Sequence, residues 1–197
     1  MTLREVVTTL RKYYGSPAGP PTSDPFELIL WESVVYLAPL ERRREAFDEL
    51  KRAIGTTPDA IGAASRRDLE QVTAHGILKQ HTADKLREAA RIALERFGGD
   101  LASVVRGPLP DASRALRLFP GIGAPGAEKI LLFSGRAPLL AAESNGLRVL
   151  ARVGLVREDA SYARTYAASR ELAGALSKDP AVVKEAHLLL QQHGQML

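Results

Sequence analysis

A chain of 197 residues, 45% of them hydrophobic, carries enough apolar surface to bury a core without disulfides or metal. It contains no cysteine, which excludes thiol catalysis, zinc–thiolate sites and iron–sulfur clusters together. The net charge of +4 is mild; it is compatible with nucleic acid and would not argue for that partner alone.

No stretch approaches the roughly 20 apolar residues of a membrane span. Residues 1–15, MTLREVVTTLRKYYG, include Glu5 and lack the apolar core of a signal peptide. A cytoplasmic protein with no membrane partner is therefore expected. Leu3, Val6, Val7 and Leu10 recur at helical spacing and predict an amphipathic helix over residues 2–13, followed by the linker GSPAGPPTSDP. Asp24 and Pro25 then open a helix through PFELILWESVVYLA. That segment is apolar almost all round, so it should be buried and central.

Residues 40–54, LERRREAFDELKRAI, predict a charged helix with Ala46, Phe47 and Leu50 inward. The run Arg42, Arg43 and Arg44 reads as a solvated face in preference to a phosphate contact. Three helices should follow, with Pro58, Ser65 and Thr82 near their starts and Gly76 and Gly98 to Gly99 as stops. His81 reads as a surface residue in preference to an acid–base group.

The most informative stretch starts with DASRALRL, residues 111–118, a helix with Asp111 as its expected cap. Leu118, Phe119 and Ile122 flank a Pro-Gly-x-Gly turn, and Ala127, Ile130, Leu131 and Phe133 follow at helical spacing. One short helix thus turns sharply into another over about residues 111–134, a helix-hairpin-helix. Gly121 and Gly123 suit a turn needing positive φ or close backbone approach, and exposed amides at the start of the second helix can face a phosphate. Pro120, Gly121, Ile122, Gly123, Ala124 and Gly126 are the candidate grip on a DNA backbone, with Arg114 and Arg117 flanking the phosphate path.

Eighteen residues beyond Pro125 comes Glu143, and Ser144 is the expected cap of a helix holding Leu147, Val149, Leu150 and Val153. Two more helices are predicted, around residues 162–176 and 181–192, in which His187 and His193 read as packing residues.

PGIGAPGAEKILLF and PLLAAESNGLRVLARVGL resemble the helix-hairpin-helix DNA glycosylase superfamily (HhH-GPD), specifically its endonuclease III branch. The family pattern is Leu-Pro-Gly-Val-Gly-Arg-Lys-Thr-Ala, then Val-Asp-Thr-His and an Arg-Val pair. The resemblance runs over residues 3–195. It implies an all-α fold of two lobes with a DNA-binding cleft between them. Residues 25–137 would form the central domain with the hairpin, and residues 1–24 plus 138–197 the second lobe. The partner would be double-stranded DNA carrying a damaged or mismatched base, bound by a monomer.

Residue by residue, the family's Schiff-base lysine falls on Pro125 and its catalytic aspartate on Glu143. Arg148 matches the arginine of the pattern and joins the DNA-binding candidates, as does Lys79 from the loop Gly76-Ile77-Leu78-Lys79. The family's Ser-Ala-Gln-x-Thr-Asp, whose glutamine fills the gap left by an extruded base, becomes residues 35–40. Leu37 could then serve as an apolar wedge and Tyr36 could stack on a base, with Trp31 nearby, although core packing accounts for such residues equally well. The ending HLLLQQHGQML resembles the run that precedes the family's cluster cysteines, so a member without an iron–sulfur cluster or other cofactor is expected.

Glycosidic bond cleavage passes through an oxocarbenium-like transition state, which a buried carboxylate stabilises while it activates water. Glu143 supplies that group on a stem about 1.5 Å longer than aspartate's, and a misplacement of about 1 Å can cost about 100-fold in rate. The alternative is a glutamate that stabilises the amino end of the following helix. Strand cleavage needs an amine for a Schiff base. Lys129, about 40° round the same helix from Pro125, is the nearest substitute, against which stands a lysine that merely snorkels over apolar neighbours. The expected function is that of a base-excision glycosylase with weak or absent lyase activity. The competing reading is a non-catalytic DNA-binding member of the family, and a plain packing role for the hairpin is a third.

Overall fold

The computed structural model describes residues 1–35, 40–73 and 79–197. Among the described residues the regular structure is entirely α-helical, as the sequence predicts. The helices are α1 (Leu3–Tyr14), α2 (Pro25–Ser33), α3 (Leu40–Ala53), α4 (Pro58–Ala63), α5 (Arg66–Val72) and α6 (Lys79–Phe97). They continue with α7 (Leu101–Arg106), α8 (Leu109–Leu116), α9 (Ala124–Phe133), α10 (Ser144–Arg152), α11 (Tyr162–Leu176) and α12 (Pro180–Gln195). Among the described residues no helix is long and apolar enough to cross a membrane.

The chain divides into two compact units, Met1–Gly19 with Leu131–Leu197, and Pro20–Ile130. In the first, α1 starts with a capping box: Thr2 Oγ1 accepts from the Glu5 amide, and the Thr2 amide donates to Glu5 Oε2 at 2.7 Å. Its apolar stripe of Leu3, Val6, Val7 and Leu10 joins Leu147 and Leu150 of α10, Tyr166 and Leu176 of α11, and Val183, Leu189 and Leu190 of α12 in one core. Burial of these side chains supplies the main driving force for this unit.

In the second unit Asp24 Oδ1 accepts from the amides of Phe26 and Glu27, each at 2.9 Å, and Pro25 fits the first turn of α2. Phe26, Leu28, Ile29, Leu30 and Trp31 are all buried, so α2 is covered on every side. Ala46, Phe47 and Leu50 point inward from α3.

Several boundaries depart from the sequence reading. α6 begins at Lys79, ahead of Thr82. α7 was not anticipated; its six residues are too few to show a period, and Asp100 caps it by accepting from the Ser103 amide. α8 begins at Leu109, because Pro110 is accommodated in its first turn, which leaves Asp111 inside the helix instead of capping it. Arg43 does not lie on a solvated face: its guanidinium stands 5.8 Å from the Trp31 ring centroid.

Candidate functional site

The hairpin turn is anchored from below. Phe119 and Ile122 are buried, and the Ile122 amide donates to the Phe119 carbonyl at 3.1 Å. Between them Gly121 is exposed with φ +81°, the left-handed conformation that other residues adopt only with strain. Gly123 is not in that region, and the nearest atom a Cβ there would meet is Pro125 Cδ at 3.8 Å. The protein itself therefore leaves room at Gly123, and the exposed backbone stays open to close approach.

The Gly123 carbonyl accepts from the Ala127 amide at 2.9 Å, which makes Gly123 the residue at the mouth of α9. First-turn amides have no partner inside a helix. Ala124 and Gly126 present such amides, while Pro125 has none to present. Lys85 of α6 places its Nζ 3.6 Å from where a Gly121 Cβ would be, so a cation stands at this turn. Arg117 is exposed at the end of α8, and Arg114 is exposed but ion-paired with Asp111 at 2.6 Å.

Glu143 is reached through residues 137–142, where the amides of Leu139, Ala141 and Ala142 each donate to the carbonyl two residues back. Ala137, Leu140, Ala141 and Ala142 are buried along this segment. α10 begins at Ser144, so Glu143, not Ser144, occupies the cap position, with φ −68° and ψ 179°. Its carboxylate makes no capping hydrogen bond. Instead Glu143 Oε1 accepts from Gln191 Nε2 at 2.7 Å and from Asn145 Nδ2 at 3.1 Å.

Gln191 is delivered by α12, whose end lies against the start of α10. Gly194 is buried there, and Arg148 Nη1 donates to its carbonyl at 2.9 Å. Arg148 thereby ties two helices of one unit together. His193 Nδ1 lies 2.8 Å from the Tyr14 hydroxyl, and His187 packs edge-on against Phe133, so both histidines are built into the packing as the sequence suggests.

Lys129 does not simply snorkel. Its Nζ is 2.6 Å from Glu32 Oε2, and both side chains are largely buried, at 12% and 18% exposure. Arg43 Nη1 stands 3.9 Å from the other Glu32 oxygen. A Schiff base needs an amine free to attack a carbon, and the Lys129 amine is engaged by Glu32. Trp31 is 2% exposed and meets Phe47 edge-on at 5.6 Å, which makes its ring part of the core. Tyr36, Leu37 and the loop residues Gly76, Ile77 and Leu78 lie outside the described residues, as does the side chain of Lys79.

Sequence reasoning missed Gln191, Asn145, Lys85 and Glu32. Only Asn145 carried a local signal, two residues from Glu143; the others owe their place to tertiary packing.

No protein-family model matches the chain. Endonuclease III of Thermotoga maritima is 23% identical over 141 residues, covering 72% of this chain and 62% of that protein. Among solved structures, a trapped endonuclease III–DNA covalent intermediate superposes with a TM-score of 0.75 at 18% identity, over 96% of this chain and 85% of that one. A thermostable thymine-DNA glycosylase gives 0.77 at 17% identity, over 99% and 87%. The Helicobacter pylori 3-methyladenine DNA glycosylase bound to 1,N6-ethenoadenine gives 0.68 at 18% identity, over 100% and 95%. The chain has the all-helical fold of endonuclease III and of these DNA glycosylases.

Proposed function

We propose that the protein is a DNA N-glycosylase of base-excision repair that hydrolyses the bond between deoxyribose and a damaged or mismatched base and does not itself cut the strand. The observation that carries this reading is the Glu143 carboxylate, turned away from helix capping and held by two amides. The hairpin grips the backbone through the Ala124 and Gly126 amides, Gly121 and Gly123 allow a phosphate to approach, and Lys85 adds charge. The target base leaves the stack, because its glycosidic bond is out of reach within a duplex.

In this mechanism the Glu143 carboxylate stabilises the developing sugar cation and takes a proton from the attacking water. Oxygen bonds to C1′, the C1′–N bond breaks, and the base departs with the electron pair and acquires a proton. A lyase step would need a neutral amine near C1′; Pro125 has none and Lys129 is ion-paired. The same two features favour, as a second reading, a lesion-binding protein that has lost excision.

The deciding experiment incubates the purified protein with duplexes carrying mismatched thymine, 3-methyladenine or 1,N6-ethenoadenine, with and without hot alkali. Strand breaks that require alkali and vanish in Glu143→Gln establish the glycosylase. Retained binding with no breaks on any duplex establishes the second reading.

A further inference from the structure

We infer that Gln191 is the positioning residue that sets the reach of the Glu143 carboxylate, an assignment that rests on the glycosylase reading above. Glutamate has one more rotatable bond than aspartate, so an unrestrained carboxylate would spread over several rotamers. The Gln191 amide removes that freedom from outside the segment that carries Glu143: Nε2 donates to Oε1 at 2.7 Å, across 48 residues of chain. The position of the donor is set by packing. Gly194 lies one turn further along α12 on the same side as Gln191. A Cβ on Gly194 would stand 2.2 Å from the Asn145 carbonyl oxygen, so glycine is what lets this turn of α12 meet the first turn of α10. Arg148 Nη1, bonded to the Gly194 carbonyl, holds the two helices in that register.

Asn145 also donates to Oε1, but it sits on the same turn as Glu143 and moves with it. Gln191 alone among these donors refers the carboxylate to a second helix.

The test uses Gln191→Met, which keeps the side-chain length and deletes the donor, measured by single-turnover excision on the duplex that the wild type cuts fastest. The maximal rate should fall about 10- to 100-fold with duplex affinity unchanged. Gln192→Met, on the same helix, should match the wild type. In a Glu143→Asp background, whose shorter carboxylate does not reach the amide, Gln191→Met should cost nothing further. If Gln191→Met melts early, Gln191→Glu decides, because it keeps the amide's shape and exchanges donor for acceptor; it should lose at least as much rate. An unchanged maximal rate in these variants, or an equal loss in the Glu143→Asp background, overturns the inference while leaving the glycosylase reading intact. A wild type that excises nothing overturns both.

Discussion

Gly194 and Asn145 are packed so closely that no side chain fits between them: a Cβ on Gly194 would lie 2.2 Å from the Asn145 carbonyl oxygen and 2.5 Å from its carbon. The obstructing atoms are backbone and cannot turn aside. Gly194→Ala is expected to destabilise the protein by about 3 kcal/mol, at the upper end of overpacking costs. Urea unfolding would show a lower midpoint. Excision should fall further than the melted fraction explains, because the separation of α12 from α10 takes Gln191 away from Glu143.

The two hairpin glycines should respond differently. Gly121→Ala forces a β-carbon into φ +81° and is expected to cost about 1 kcal/mol, whereas Gly123→Ala makes only an ordinary contact with Pro125 Cδ at 3.8 Å and should leave stability unchanged. Gly123→Glu should keep the fold and sharply weaken binding to undamaged duplex, through bulk and charge at the phosphate site. Fluorescence anisotropy beside urea melts separates the effects; unchanged affinity in folded Gly123→Glu excludes the hairpin as the backbone grip.

Lys85, with its Nζ beside Gly121, should behave as a phosphate contact. Lys85→Gln is expected to reduce the slope of log affinity against log salt by about 0.9, the change for one lost contact on duplex DNA. Equal weakening on matched and damaged duplexes should accompany it. A slope equal to that of the wild type would exclude the contact.

Lys129 and Glu32 form a largely buried ion pair, and removing the lysine leaves Glu32 facing the more distant Arg43 at 3.9 Å. Lys129→Met should lower stability by about 2 kcal/mol, and Lys129→Met with Glu32→Gln should recover part of it. Borohydride should trap no protein–DNA adduct through this lysine. An adduct in the wild type that disappears in Lys129→Met would establish it as a working amine.

Glu27 predicts a pH dependence. Burial opposes its ionisation, but hydrogen bonds from Thr22 and Thr56, with Lys51 at 3.4 Å, outweigh that and hold its carboxyl below 4.5. With the folded value below the unfolded one, the contribution is complete above pH 4.5 and is lost as pH falls below it. Glu27→Gln should therefore be less stable than the wild type at pH 7, and the gap should narrow on acidification below pH 4.5. A gap that stays constant would remove Glu27 from the acid response.

Local rules carried much of the fold. The apolar stripe of Leu3, Val6, Val7 and Leu10 in α1 and the Asp24–Pro25 start of α2 were both legible, because caps and helical faces are written within a few neighbouring residues. The same holds for the hairpin, where Phe119 and Ile122 bracket a turn whose Gly121 takes the expected positive φ. Short α7 and the early start of α6 escaped, since six residues hold too little pattern and propensity alone sets no boundary.

By itself the sequence determined an all-helical chain with a hairpin, a carboxylate at residue 143 ahead of a helix, and a proline at residue 125. Only the tertiary structure decided what those groups touch. Gln191 meets Glu143, and Glu32 meets Lys129, because distant helices pack face to face, and such pairings depend on interhelical distance and register that no local period encodes.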